Sequence, residues 1–236
     1  MQEAKAFTWL SFMGLDQYPS HVVMALFAAV VLVLTTLVAR AQLNAVMRSP
    51  DGGLVPESKL TYRNFFEIIA ESLFSLTESV IGKQDAPIYF PVIGTLFVFI
   101  FFSNILGLIP GVVPSTENLN TTLAVGTFVF VYYNYAGLRA HGLAYLKHFL
   151  GPVLWLAPLM FIIELASHIF RPISLALRLR GNIMGDHVVL HVFSGLVPLL
   201  LPVVFYGMGV FVAFIQAFVF CLMTMVYISL STAHDH

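Results

Sequence analysis

The sequence predicts an all-α integral membrane protein with five membrane helices, the last two a long tilted hairpin, plus an interfacial amphipathic helix. Three observations carry this. Of 236 residues, 59% are hydrophobic. Only 10% are Asp, Glu, Lys or Arg, against roughly a quarter in an ordinary soluble domain. The apolar residues also fall in uncharged windows of spanning length, since a hydrocarbon core about 30 Å thick takes roughly 20 helical residues. With 11 basic and 12 acidic residues the formal charge is −1, which argues for neither a nucleic-acid footprint nor an acidic tail. The single cysteine, Cys221, excludes an internal disulfide and a cysteine zinc cluster.

Taken in order, residues 1–20 form an N-terminal extracytoplasmic segment and 21–41 the first span, uncharged from His21 to Ala39. That stretch lacks a basic start and a small-residue cleavage site, so it is expected to stay in the protein. Residues 42–89 read as a cytoplasmic loop. Within it, Tyr62 to Ile81 is an amphipathic helix: Phe65, Phe66, Ile69, Leu73, Leu76 and Val80 recur at three- and four-residue steps, and Glu67, Glu71 and Glu78 lie elsewhere on the wheel. Two placements stand open for it, the cytoplasmic membrane interface or the soluble part of a partner subunit.

The second span is 90–113, and the third, 121–138, is shorter and richer in Gly and Tyr. Residues 152–230 form the hairpin, interrupted near Ser194 to Pro202 by a glycine and two prolines. Its first arm, Pro152 to Phe193, would be on the order of 60 Å long as a straight helix, so it must tilt or break against the second arm, Val203 to Leu230. The whole chain, 1–236, is thus a single membrane domain. Lys and Arg set its orientation. Arg40, Arg48, Lys59, Arg63 and Lys83 follow the first span, Arg139 and Lys147 follow the third, and only Lys5 lies opposite. The N-terminus is therefore predicted outside and the C-terminus cytoplasmic. No internal repeat is visible, which disfavours an inverted-repeat transporter.

Ionisable residues at membrane depth are costly and mark function unless paired or watered. The first arm carries Glu164, Arg171, Arg178, Arg180 and Asp186, with His168, His187, His191, Ser167, Ser174 and Asn182. Seven-residue steps put Glu164, Arg171 and Arg178 on one stripe, and Arg180 points about 200° away from Arg178. Arg171 can snorkel or pair with Glu164. Arg180 can meet a lipid headgroup or a carboxylate on another helix, and His191 reads as an interfacial histidine. Arg178 is deep in the arm with no carboxylate within one helical turn, so its counter-charge is expected from another chain.

Pro172 to Asn182 reads P-I-S-L-A-L-R-L-R-G-N, which resembles the S-L-x-L-R-L-x-G-N signature of subunit a of F-type ATP synthases. The resemblance extends to Phe90–Pro110 with Ser103 and Asn104, to P-S-T-E-N-L-N-T-T from Pro114, to Glu164, and to Gln216-Ala217-Phe218. It implies a non-catalytic stator subunit of a bacterial inner membrane, which passes protons or sodium ions through two offset half-channels to and from a rotating c-ring. Arg178 would face the ring carboxylate. Glu164 and Ser167 fit the inner half-channel, and Asn182, Asp186, His187 and Gln216 the outer one. For His187 a satisfied core histidine is the alternative. The implied partners are the c-ring, the peripheral-stalk subunit b and membrane lipid, with no nucleic acid, cofactor or metal.

Some positions depart from the family pattern. His187 stands where many members carry Glu, Gly209 where some carry His, Gly107 where some carry an acid, and Arg180 where an apolar residue is common. Two other classes stand beside this one. An autonomous channel or ion-coupled transporter would use Arg178 as a substrate or gating charge. An intramembrane hydrolase has only Gly185-Asp186-His187 in its favour, since H-E-x-x-H and G-x-S-x-G are absent.

Overall fold

In the computed structural model the described residues are 9, 14, 17–47, 62–109, 111–142, 145, 157–196 and 200–232. The backbone alone is described for 42–47, 62, 63, 65, 157, 187, 191, 194–196 and 200–202. The order is α1 (Ser20–Met47), α2 (Tyr62–Ile81), α3 (Ala86–Leu106), a 3-10 turn (Ser115–Glu117), α4 (Leu119–His141), α5 (Ala157–Leu196) and α6 (Leu200–Thr232). There is no strand among the described residues, and α1, α3, α5 and α6 are each long and apolar enough to cross a membrane. The chain is therefore an all-α integral membrane protein. At 23 residues α4 has the length of a span, but Asn, Thr and Tyr make it less apolar.

Helix ends follow local chemistry. Asn118 caps α4, its side chain accepting from the Asn120 N–H at 2.9 Å. Gly142, at φ +58°, closes the same helix with its N–H on the Leu138 carbonyl. The second predicted span overshoots. Its helix is Ala86–Leu106, because Gly107, Leu108 and Ile109 donate to the carbonyls of Asn104, Ile105 and Leu106, a tight i to i+3 winding, and Gly111 then turns at φ +82°. Hydropathy alone does not register that turn.

The core lies where α3, α4, α5 and α6 meet, with Ile93, Phe97, Tyr133, Leu179, Phe220 and Met225 among its buried side chains. Close approach of α4 to α5 depends on Gly126: a Cβ there would lie 2.8 Å from the Pro172 carbonyl oxygen. Pro172 sits inside α5 without breaking it, so the first arm is one helix over Ala157–Leu196. Cys221, buried, points its Sγ at the Ile93 carbonyl at 3.5 Å and so ties α6 to α3.

The amphipathic helix has the predicted limits, Tyr62–Ile81, and its apolar stripe has a partner within the chain. Ile69, Leu73, Leu76 and Val80 pack on the chain's own core, beside α3 and α6. Phe66 departs from the expected stripe and is exposed. By contrast α1 is mostly uncovered, with Ala28 buried and Leu26, Val33 and Leu37 exposed.

Candidate functional site

Side chains of α5 divide into three regions along its length. Toward its start, Glu164 Oε1 lies 3.4 Å from His168 Nδ1 and 3.8 Å from an Arg171 guanidinium nitrogen. Arg171 also stacks over the Tyr227 ring of α6 at 5.3 Å, and the Tyr133 ring of α4 lies 5.9 Å from His168 and 5.7 Å from Tyr227. Of the two options for Arg171, pairing with Glu164 is the one present. The adjacent Tyr145 hydroxyl donates to Asn134 Oδ1 at 3.0 Å. Burial pushes the Tyr145 phenol up to about 12, so it remains a neutral donor. Its ring rests where Gly137 lacks a side chain, since a Cβ there would stand 2.5 Å from it.

Midway along α5 the surface changes. Leu175, Leu179 and Ile183 are buried, whereas Ser174, Leu177, Arg178, Gly181 and Gly185 are exposed. Arg178, Gly181 and Gly185 follow three- and four-residue steps and so share one face. A Cβ at Gly181 or Gly185 would meet nothing within 4 Å. Arg178 has no ion pair or hydrogen bond among the described residues. The result is a narrow uncovered lane beside a permanent cation.

Farther along, Asn182 donates from Nδ2 to Gln216 Oε1 of α6. Asp186 and Gln216 line a cavity of about 20 Å³ together with Asn104, Leu108, Gly209 and Ala213. That is room for about one water. Leu108 packs close over Gly209: a Cβ there would lie 2.5 Å from Leu108 Cδ2, so that side chain would have to shift. Asn104 is buried, and its Oδ1 accepts from the Thr116 hydroxyl at 2.9 Å.

The structure thus brings Asn182, Asp186 and Gln216 together and places Glu164 in a separate cluster, while Ser167, one helical turn from Glu164, is exposed. The side chains of His187 and His191 lie outside the described residues, as do Lys5, Arg48, Lys59 and Lys147. Arg180 Nε donates to the Glu117 backbone carbonyl of the 3-10 turn at 3.2 Å, a contact the sequence does not suggest. Tyr133 and Tyr227 are not indicated by the sequence; Thr116 lies within the P-S-T-E-N-L-N-T-T stretch that carries the resemblance, but only the fold brings it to Asn104. Among the described residues no group of three His, Cys, Asp or Glu side chains is arranged to hold a metal ion.

Similarity to known proteins agrees with this arrangement in extent. Residues 21–229 match the family described as ATP synthase A chain. The chain is 46% identical over 233 residues to ATP synthase subunit a of Bdellovibrio bacteriovorus, covering 98% of this chain and 100% of that one. To ATP synthase subunit a of Geobacter sulfurreducens it is 45% identical over 207 residues, covering 87% and 85% of the two chains. To ATP synthase subunit a 3 of Pelobacter propionicus the identity is 44% over 211 residues, covering 89% and 86%. With a match across nearly the whole hairpin and every helix before it, the chain belongs to the ATP synthase A chain family, subunit a of the membrane sector of F-type ATP synthases.

Proposed function

We propose that this subunit conducts protons, or sodium ions, through two half-channels offset on either side of Arg178, and that ions cross only by riding the c-ring between them. The observation that carries the reading is the sequence of surfaces on α5: a polar cluster at Glu164, an uncovered lane at Arg178, and a cavity that Asp186, Gln216 and Asn104 share with apolar side chains. Along a straight helix Glu164 is about 20 Å from Arg178. The two polar regions are therefore separate compartments and not one wire.

Physical chemistry assigns the parts. A guanidinium stays charged, with pKa above about 12, where a buried lysine can lose its proton. Beside a ring carboxylate it favours the ionised form, lowering the carboxyl pKa by about 1–3 units at close range. A ring site must release its ion as it reaches Arg178. The lane at Gly181 and Gly185 admits a close helix of the ring, and Asn182, one turn from Arg178, joins that face to Gln216. Each charge crossing 100 mV carries about 2.3 kcal/mol, which rotation delivers to a catalytic sector elsewhere; this subunit does no chemistry itself.

With the N-terminus outside, Glu164 and Ser167 line the cytoplasmic half-channel, and Asn182, Asp186, His187 and Gln216 the outer one. Asp186 with His187 takes the place of the Glu that many members carry at position 187 and the His that some carry at position 209. In this reading α4 is the third of five spans, subunit b of the peripheral stalk holds the subunit against rotation, and the setting is a bacterial inner membrane.

The placement of the ring is tested by cross-linking. Cysteines at Leu177 or Met184, exposed on α5, are expected to form disulfides with cysteines beside the carboxylate of the ring subunit under mild oxidation. Cysteine at Leu179, fully buried within the chain, is the negative control. Cross-links from α1 instead, with none from Leu177 or Met184, would move the ring to another face.

A further inference from the structure

His168 stands one turn after Glu164 on α5, and its side chain is 6% exposed against 32% for Glu164. The carboxylate reaches the surface, and the imidazole lies behind it. His168 Nδ1 is 3.2 Å from the Glu164 carbonyl oxygen and 3.4 Å from Glu164 Oε1. A backbone carbonyl and an ionised carboxylate only accept, so the nitrogen that faces both carries the proton. Nδ1 is thereby fixed as a donor, and Nε2 is the nitrogen whose protonation changes.

The groups around the imidazole come from every element packed on it: Glu164 and Arg171 of α5, Tyr133 of α4, Tyr145 just beyond α4, and Tyr227 of α6. Ordinarily a glutamate titrates near about 4.3, a tyrosine near about 10 and an arginine above about 12, whereas a histidine titrates near about 6.5. Among these groups the imidazole is therefore the one suited to exchange a proton at neutral pH. An imidazolium here is paired by Glu164 and repelled by Arg171, which shares the same carboxylate oxygen at 3.8 Å, so neither charge state is locked in. Water belongs in the cluster as well. Tyr133 is fully buried with its ring 5.9 Å from that of His168, and its hydroxyl completes no hydrogen bond among the described residues. A buried hydroxyl that protein groups leave unserved is a site for water.

We propose that His168 is a proton-carrying residue of the inner half-channel. A proton from water bonds to Nε2 while Glu164 holds Nδ1–H and balances the imidazolium; the same Nε2–H bond breaks when the proton moves on, so the ring ends as it began. The ion at this step is H+, because Na+ is a hard cation that takes oxygen ligands and gains nothing from a ring nitrogen. The proposal rests on reading the Glu164 cluster as the inner half-channel.

The test uses inverted vesicles carrying the whole enzyme, whose external medium bathes the cytoplasmic face. ATP-driven pumping per assembled complex is compared with native at each external pH, which cancels the response of the catalytic sector. His168→Asn keeps an N–H for Glu164 and cannot be charged; it is expected to pump about tenfold more slowly at an external pH of about 7.5. The deficit should shrink below about pH 6.5, where a histidine is already loaded and gains nothing from more protons, while the variant still does. Adding sodium at fixed pH should leave native pumping unchanged. Native rates in His168→Asn, a deficit equal at every pH, or pumping that rises with sodium overturn the proposal. Should His168→Asn fail to assemble, His168→Gln, equally unable to titrate, is compared in the same way. Glu164→Leu separates the two layers. If it slows pumping while His168→Asn does not, the role of His168 alone is overturned; if neither variant changes pumping, the cluster is not a conduit and both readings go.

Discussion

Arg178→Ala, assembled with the remaining subunits, is expected to abolish ATP-driven ion pumping. Nothing else on the exposed face of α5 replaces the charge: Gly181 and Gly185 carry no side chain there, and Arg171 is engaged by Glu164 and Tyr227. Without a fixed cation, a ring carboxylate arriving at the lane keeps its ion, because desolvation favours the neutral form. Arg178→Lys keeps a charge only while the amine is hydrated. Packed against the ring, it is expected to retain at most about a tenth of native pumping. Arg180 does not rescue either variant, since it projects to the opposite side of the helix and is held by the Glu117 carbonyl. The measurement is dye-reported pumping in inverted vesicles, normalised to complex content. Native rates in Arg178→Ala would remove Arg178 from the mechanism.

Gly126→Leu is expected to fail at an earlier stage, losing the assembled subunit itself. Its Cβ would stand 2.8 Å from the Pro172 carbonyl oxygen, a backbone atom that moves only if the helix moves. Overpacking of a fixed contact costs about 1–3 kcal/mol even for small insertions, and a leucine side chain must also push α4 away from α5 along their shared length. Tyr133 would then leave His168 and Tyr227, dispersing the Glu164 cluster as well. Gly181→Leu is the informative contrast. It lies in open space, so the subunit should fold and insert normally and lose only its fit to the ring. Quantifying subunit content and complex assembly after mild detergent extraction separates the two: low content for Gly126→Leu, normal content with a poorly retained ring for Gly181→Leu. Equal content in both would mean that the α4 to α5 contact is not required.

Legibility in the sequence varied with the range of the interaction. Helical periodicity found Tyr62–Ile81 to the residue, because an amphipathic stripe is local information. Where that helix packs was not legible, since its apolar face fits a membrane surface, a partner or the chain's own core equally well, and the last is what α2 uses. The second span was overextended through Gly107–Val113, where apolar composition and turn geometry coincide. On α5 the heptad stripe correctly grouped Glu164 with Arg171, an intrahelical pair. Asn182 with Gln216 was reachable only through the family signature, and Thr116 with Asn104 not at all, because a helix end and a 3-10 turn must first fold together. The Arg180 partner was missed for a related reason: backbone carbonyls carry no sequence label.

Ion flux in reconstituted liposomes tests the central claim, that ions cross this subunit only by way of the ring. Purified subunit alone, at a defined number per vesicle and under an imposed potential, is expected to give no ion flux above that of empty vesicles, and adding the c-ring and subunit b should restore it. Sustained flux through the subunit alone would contradict the account, because it requires a continuous path past Arg178.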